Sequence, residues 1–194
     1  MRGFSLKPRV RVIAAHRIDT DRLVLRSPVI DDAATISPLL ANWDIVHWLV
    51  RVPFPYRYEH AISWIERSIA ERKAGVGFPF VIIRRDDNRL IGSVDLSIED
   101  DSSCGMLGYW LGADYWGQGY ATEAAKAVVD FAFDRLDLRE VTASVLPEND
   151  RSVRVLEKAG LTYVDRRPEE TVERGRVETD FFAARRHRTR HGIR

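Results

Sequence analysis

The sequence predicts a mixed α/β (α+β) fold: one central sheet of about seven strands with flanking helices. Three observations carry that reading. The middle of the chain, "FPFVIIRRDDNRLIGSVDLSIED" and then "GMLGYWLG", is a series of apolar strands broken by polar turn residues. Segments of helical period lie on both sides of it and alternate with strands in the C-terminal half. No segment repeats, and 194 residues that are 45% hydrophobic suffice for one ordinary core.

The elements follow in order. Residues 1–17 are basic and weakly patterned, an N-terminal extension to a domain over 18–186. "DRLVLRSP" is a short strand ended by Pro28. "DDAATISPLLANW" opens on two acids and sets Ala33, Ile36, Leu39 and Leu40 on one face of a short helix that contains Pro38. "IVHWLVRVPFPYRY" is a proline-rich, aromatic loop with a short helix at its start. "EHAISWIERSIAERKAG" is a helix with Ala61, Ile62, Ile65, Ile69 and Ala70 on its apolar face and Gly75 as its stop.

The two strands around "RDDNR" and a third, Met106 to Gly112, form a meander. A long helix runs from Ala121 to about Leu136, with Ala124, Val128, Phe131 and Leu136 near one stripe. "REVTASVLP" is a strand closed by Pro147, and "NDRSVRVLEKAG" a helix between an Asn149 cap and Gly160. "LTYVDRR" and "RVETDFFAARR" make a final hairpin joined by "PEETVERG", and residues 187–194 are a basic tail.

Composition excludes several classes of function. With 30 basic and 29 acidic residues the net charge is +1, so nothing draws the whole domain to nucleic acid or anionic lipid. Basic residues gather at the termini instead, which argues against a direct nucleic-acid partner. No apolar run approaches a membrane span and no secretory leader is recognisable, so a soluble, cytoplasmic protein is expected. Cys104 is the one cysteine, so no internal disulfide forms, and its acidic neighbours disfavour a reactive thiolate. His187 and His191 have ligand spacing but no carboxylate or cysteine partner, so no metal is expected.

"DYWGQGYATEA", Asp114 to Ala124, places Gly117 and Gly119 between a strand and a helix. Free N–H groups and partial positive charge gather at such a helix start, and glycines let a phosphate approach the backbone. Gln118 and Tyr120 bring no cation, so binding there rests on main-chain donors. Lysine is missing for a Walker loop, and a third glycine for a dinucleotide fingerprint. Taken alone, the segment reads equally as a simple chain reversal.

Neighbouring residues give it context. "LGYWLGADYWGQGYATEA", with "VLPENDRSVRVLEKAGL" after it and "TDRLVLRSPVIDDAATI" before it, resembles the GNAT N-acetyltransferases. The likeness is greatest to the branch that acetylates the N-terminal alanine or serine of ribosomal proteins, and it spans about Ile18 to Arg185. It implies a twisted, mostly antiparallel sheet with a splayed central strand pair, acetyl-CoA as co-substrate, and an amine acceptor. Gly117, Gln118, Gly119, Tyr120, Ala121 and Thr122 would cradle the CoA pyrophosphate. Leu107, Tyr109, Trp110 and Leu111 would line the splayed strand, facing Thr142 to Leu146. Asn149 would bond pantetheine, and Ser152 would face the sulfur. Where the family's phosphate motif often opens on Gln or Arg, this chain has Trp116. Many members carry a tyrosine acid seven residues after the asparagine; here Leu156 stands there, which makes Ser152 the candidate acid.

The implied reaction is attack of a neutral amine on a thioester. A leaving thiolate with a pKa near 8.5 needs little proton help, so one hydroxyl suffices. Ser152 reads equally as an ordinary first-turn serine. An α-amine costs roughly 1 kcal/mol to deprotonate at pH 7, and a lysine roughly 4–5 kcal/mol. With no strong base in evidence, the α-amine of a protein or peptide fits better. Asp95, a carboxylate in an apolar strand, is the candidate base: it lines a cleft or faces water. Glu99 and Glu178 are weaker candidates.

Trp43, Trp48, Phe54 and Tyr56 would wall the acceptor site, although Trp48 and Phe54 equally suit a core under the loop. His47 reads as structural. A small-molecule amine acceptor and a non-catalytic CoA-binding module are the alternatives, and the oligomer is a monomer or a homodimer.

Overall fold

A computed structural model describes residues 17–99, 103–171 and 175–186. The extension before Arg17 and the tail with His187 and His191 lie outside the described residues. Among the described residues, eight strands form one sheet: β1 (Arg17–Asp19), β2 (Leu23–Arg26), β3 (Gly77–Arg84), β4 (Leu90–Ile98), β5 (Cys104–Leu111), β6 (Glu140–Val145), β7 (Thr162–Thr171) and β8 (Gly175–Arg185). Their order is β1-β2-β3-β4-β5-β6-β8-β7. Every neighbouring pair is antiparallel except β5 and β6.

The eighth strand is β1, whose first residue the sequence assigns to the extension. Three residues are too few to show a period. What fixes β1 is non-local: it pairs with β2, and Asp19 takes the Arg85 guanidinium at 2.6 Å. β7 and β8 also run into the expected connection, and β8 inserts between β6 and β7.

Among the described residues, five α-helices cover the sheet: α1 (Ala33–Leu40), α2 (Trp43–Val46), α3 (Tyr58–Ala74), α4 (Tyr120–Asp134) and α5 (Asp150–Lys158). One core joins α4 and α5 to one sheet face through Val94, Leu96, Val128, Phe131 and Leu156. A second joins α1 and α3 to the other through Ile36, Ala61, Ile65, Val81 and Ile83. The α3 face differs from the apolar reading. Ala61, Ile65 and Ser68 are buried, whereas Ile69 and Ala70 are exposed. The packed stripe continues through Ser68 to Arg72, whose guanidinium lies 4.6 Å over the Phe80 ring. A long cationic stem does the covering there, which apolar counting misses.

Strand β4 positions the site. Val94, Leu96 and Ile98 point toward α4, so Ser93, Asp95 and Ser97 point to the opposite face. Ser93 sits opposite Val81 of the α1–α3 core, which fixes that side. A central strand thus carries a polar row, and the reason is a cleft over it.

Candidate active site

The cleft starts where β5 and β6 part. Among the described residues they pair at three positions, Cys104 with Glu140, Gly105 with Val141 and Met106 with Thr142. Each is held on its outer side: β4 pairs β5 as far as Leu111, and β8 pairs β6 as far as Val145. Beyond Met106 the inner edges diverge and turn their main-chain N–H and C=O groups to the gap. A cleft of about 1580 Å³ fills it and opens on both faces of the sheet.

On the α4–α5 face, the cleft is lined by Leu107, Tyr109 and Leu111 of β5 and by the start of α4, whereas Trp110 turns to the α1–α3 face. Gly117 and Gly119 hold φ of +74° and +82°, a conformation that side-chain-bearing residues rarely adopt. A Cβ at Gly117 would meet nothing within 4 Å, so the space beside the loop is open there. Tyr120, Ala121 and Thr122 follow in the first turn of α4 and line the same space, with first-turn N–H groups unpaired within the helix. Gln118 is not in the wall. Its amide donates to Asp114 O at 3.0 Å, shaping the loop itself.

A cation does reach this loop, from far away in sequence. Arg22 Nη1 donates to Gln118 O at 2.9 Å, and the guanidinium lies 4.6 Å over the Tyr120 ring. Glu123 holds it there, accepting Arg22 Nε at 2.7 Å, the Arg22 amide at 2.8 Å and Thr20 Oγ1 at 2.6 Å. Burial works against the Glu123 carboxylate, but Thr20 and Arg22 outweigh it and hold its pKa below the ordinary value. A second cation comes from α5, where Arg151 lies 5.1 Å over the Trp116 ring. No local pattern in "DYWGQGYATEA" signals either arginine.

Because the folded pKa of Glu123 is depressed, its stabilisation is present above the unfolded pKa and fades as pH falls through the folded one. Glu123→Gln is therefore expected to lower stability at neutral pH by about 1–2 kcal/mol, reduced from a buried-pair value because Arg22 is half exposed. Urea unfolding at pH 7 and at pH 3.5 checks it: the deficit should shrink at the lower pH.

Asn149 and Ser152 sit at the mouth of the gap. Asn149 Oδ1 caps α5 by accepting the Ser152 N–H at 3.1 Å. Ser152 Oγ lies 2.6 Å from the Tyr109 hydroxyl. Leu156, one turn on, is buried in the core.

On the α1–α3 face lies Asp95. It stands opposite Gly108, and a Cβ on that glycine would come within 3.1 Å of Asp95 Oδ1. Glycine therefore makes the room the carboxylate occupies. Burial pushes the Asp95 carboxyl up to about 6, with Arg51 pulling it back, Glu71 pushing further and Arg67 pulling back. Of the three carboxylates singled out from sequence, Asp95 alone is in the cleft wall; Glu99 and Glu178 are exposed outside it.

Trp48 and Tyr56 line this arm, with Tyr56 buried. Trp43 and Phe54 do not line it. They pack against each other at 5.1 Å, exposed outside the wall. Phe54 is thus neither wall nor core. His47 Nδ1 donates to Trp43 O at 2.6 Å, closing α2. Among the described residues no group of three or more His, Cys, Asp or Glu is arranged to hold a metal ion, and no helix is long and apolar enough to cross a membrane.

The acetyltransferase (GNAT) domain family matches residues 22–162, from the arginine on the glycine loop to the start of β7. The chain belongs to the GNAT family. Among its relatives, the uncharacterised N-acetyltransferase YoaA of Bacillus subtilis is 30% identical over 144 residues, covering 74% of this chain and 81% of its own. The fold is also that of the ribosomal-protein-S5-alanine acetyltransferase of Vibrio fischeri, with a TM-score of 0.75 at 19% identity over 87% of this chain and 96% of that one. The microcin C7 self-immunity acetyltransferase, solved with acetyl-CoA and AMP, gives a TM-score of 0.77 at 17% identity, covering 86% and 93%.

As a GNAT enzyme the protein is an acetyl-CoA-dependent N-acetyltransferase. Its own residues fit that co-substrate: a glycine loop at a helix start for a pyrophosphate, and a strand gap with free edges for an extended amide-bearing arm.

Proposed function

We propose that the acceptor is the α-amine of a protein or peptide. One observation carries this reading. Asp95 and Ser152 stand on opposite faces of the sheet at the strand gap, a carboxylate on one side and a hydroxyl on the other. Acetyl-CoA, when bound, supplies an acyl thioester between them. Residues of the glycine loop and Asn149 would hold it, and β5 main-chain N–H groups would receive the developing oxyanion. Asp95, directly or through one water, takes a proton from the amine. Attack forms the carbon–nitrogen bond, breaks the carbon–sulfur bond and leaves the electron pair on sulfur. Ser152 donates a hydrogen bond to that sulfur.

The base decides the acceptor class. A carboxyl near 6 is about two units below an α-amine and more than four below a lysine. It matches the first far better. The Vibrio fischeri protein, which shares the fold, is named for acetylating a ribosomal-protein alanine. Arm charge is modest rather than strongly acidic, with Arg51 and Arg67 set against Asp44, Glu71 and Asp95 in the lining. A polycationic amine would meet a more acidic wall.

Thiol release from acetyl-CoA tests the reading. Hexapeptides beginning with alanine or serine should outrun the same peptides blocked at the N-terminus and carrying an internal lysine. Preference for the blocked lysine peptide, for spermidine or for an aminoglycoside would sink it. Ser152→Ala is expected to cut kcat about tenfold to a hundredfold, with the KM for acetyl-CoA unchanged. A wild-type kcat would remove Ser152 from the chemistry.

A further inference from the structure

We propose that Tyr109 is a positioning residue for the transfer: its phenol orders the Ser152 hydroxyl so that the serine proton is aimed into the strand gap, at the sulfur. The inference rests on Ser152 acting there, and the test below separates the two.

Tyr109 comes from β5 and Ser152 from the first turn of α5, 43 positions apart in the chain. The phenol oxygen lies 2.6 Å from Ser152 Oγ and 3.1 Å from Ser152 O. A phenol has one proton and a serine has one. If Tyr109 gives its proton to Ser152 O, the 2.6 Å contact takes the serine proton, which then points at Tyr109 and away from the gap. If Tyr109 gives its proton to Oγ, the serine proton is free for another acceptor. The second arrangement is the better use of the donor. The carbonyl of Ser152 already faces the amide four residues on in α5, whereas Oγ gains polarity from each donor it accepts.

Two further facts support a standing donor. Burial pushes the Tyr109 phenol above its ordinary range, against the Ser152 hydrogen bond, so it stays protonated at any working pH. Next to Ser152 on α5, Leu156 offers no polar group and is buried. The strand, rather than the helix, brings the second hydroxyl.

A free thiol reports on this without any acceptor. CoA is bound to the enzyme and its thiol titrated by the ultraviolet absorbance of the thiolate, in wild type, Ser152→Ala, Tyr109→Phe and the double variant. Tyr109→Phe keeps the ring and its packing and removes one oxygen. A donor lost from the thiolate raises the thiol pKa by about one unit, so Ser152→Ala should show that shift. Tyr109→Phe should raise it in the same direction by at least about a third as much. The double variant should match Ser152→Ala, since the phenol acts only through the serine.

A wild-type thiol pKa in Tyr109→Phe, beside a raised one in Ser152→Ala, overturns the proposal and spares the Ser152 reading. So does a double variant whose shift is the sum of the two, or a Tyr109→Phe that weakens CoA binding with no change in thiol pKa. An unchanged thiol pKa in Ser152→Ala overturns both.

Discussion

Asp95→Asn is expected to lower turnover by about 10²–10⁴-fold, the usual loss of a general base. The same change should raise the melting temperature. Both follow from one cause. Burial raises the Asp95 pKa from 3.8 to about 6, so the folded state holds that proton more tightly than the unfolded chain. Stability therefore falls as pH rises between those values and stays lower above them. A shift of that size corresponds to at most about 3 kcal/mol at pH 7, and asparagine, of the same shape and uncharged, removes the cost. Wild-type kcat/KM should rise with pH through about 6 as Asp95 ionises, and the variant should lose that limb. Calorimetry and a pH–rate profile on the two proteins decide it. An active variant with the acid limb intact would assign the base elsewhere.

Gly119→Val should weaken CoA binding by about 100-fold or more. Gly119 sits at φ +82° as the residue before α4, and a Cβ there would lie 3.4 Å from Arg22 Nη2. A left-handed conformation costs an L-residue about 1–2 kcal/mol, and a β-branched one more. Relief of that strain rotates the peptide and moves the first N–H groups of α4. Losing two charge-assisted hydrogen bonds to a phosphate accounts for the expected factor. Gly119→Asn separates strain from occlusion, because asparagine tolerates this conformation. It should bind CoA more tightly than the valine variant in isothermal titration. Wild-type affinity in Gly119→Val would move the pyrophosphate to another part of the cleft.

Legibility in the sequence followed the range of the interaction. Asn149, Gly75 and Gly160 were readable as helix ends because a cap involves only a few neighbouring residues. Asp95 was equally local, standing out as a carboxylate in an apolar strand, whereas the row it forms with Ser93 and Ser97 on one face emerged with the sheet. The gap between β5 and β6 came from family resemblance, since nothing in either strand says where pairing stops. What escaped was set by contacts between distant residues. Arg22 and Glu123 meet across 101 positions, and Tyr109 and Ser152 across 43. Neither pair has a local period or motif. The aromatic loop shows the same limit, because composition gave Trp43, Trp48, Phe54 and Tyr56 one role where geometry divides them two and two.

The three paired positions between β5 and β6 have a mechanical consequence. Continued by the Ser103 carbonyl, which accepts from the Arg139 and Glu140 N–H groups, they form the backbone seam among the described residues between a five-stranded plate, β1 to β5, and a three-stranded one, β6, β8 and β7. Each plate is a run of antiparallel neighbours that can zip locally, while the seam joins segments 36 residues apart through α4. The three-stranded plate with α5 is then the natural unit of partial opening. An extended arm laid along both free edges would act as a stitch between the plates. By this geometry an arm bound in the gap would complete the sheet and tie the two plates along the line where they part.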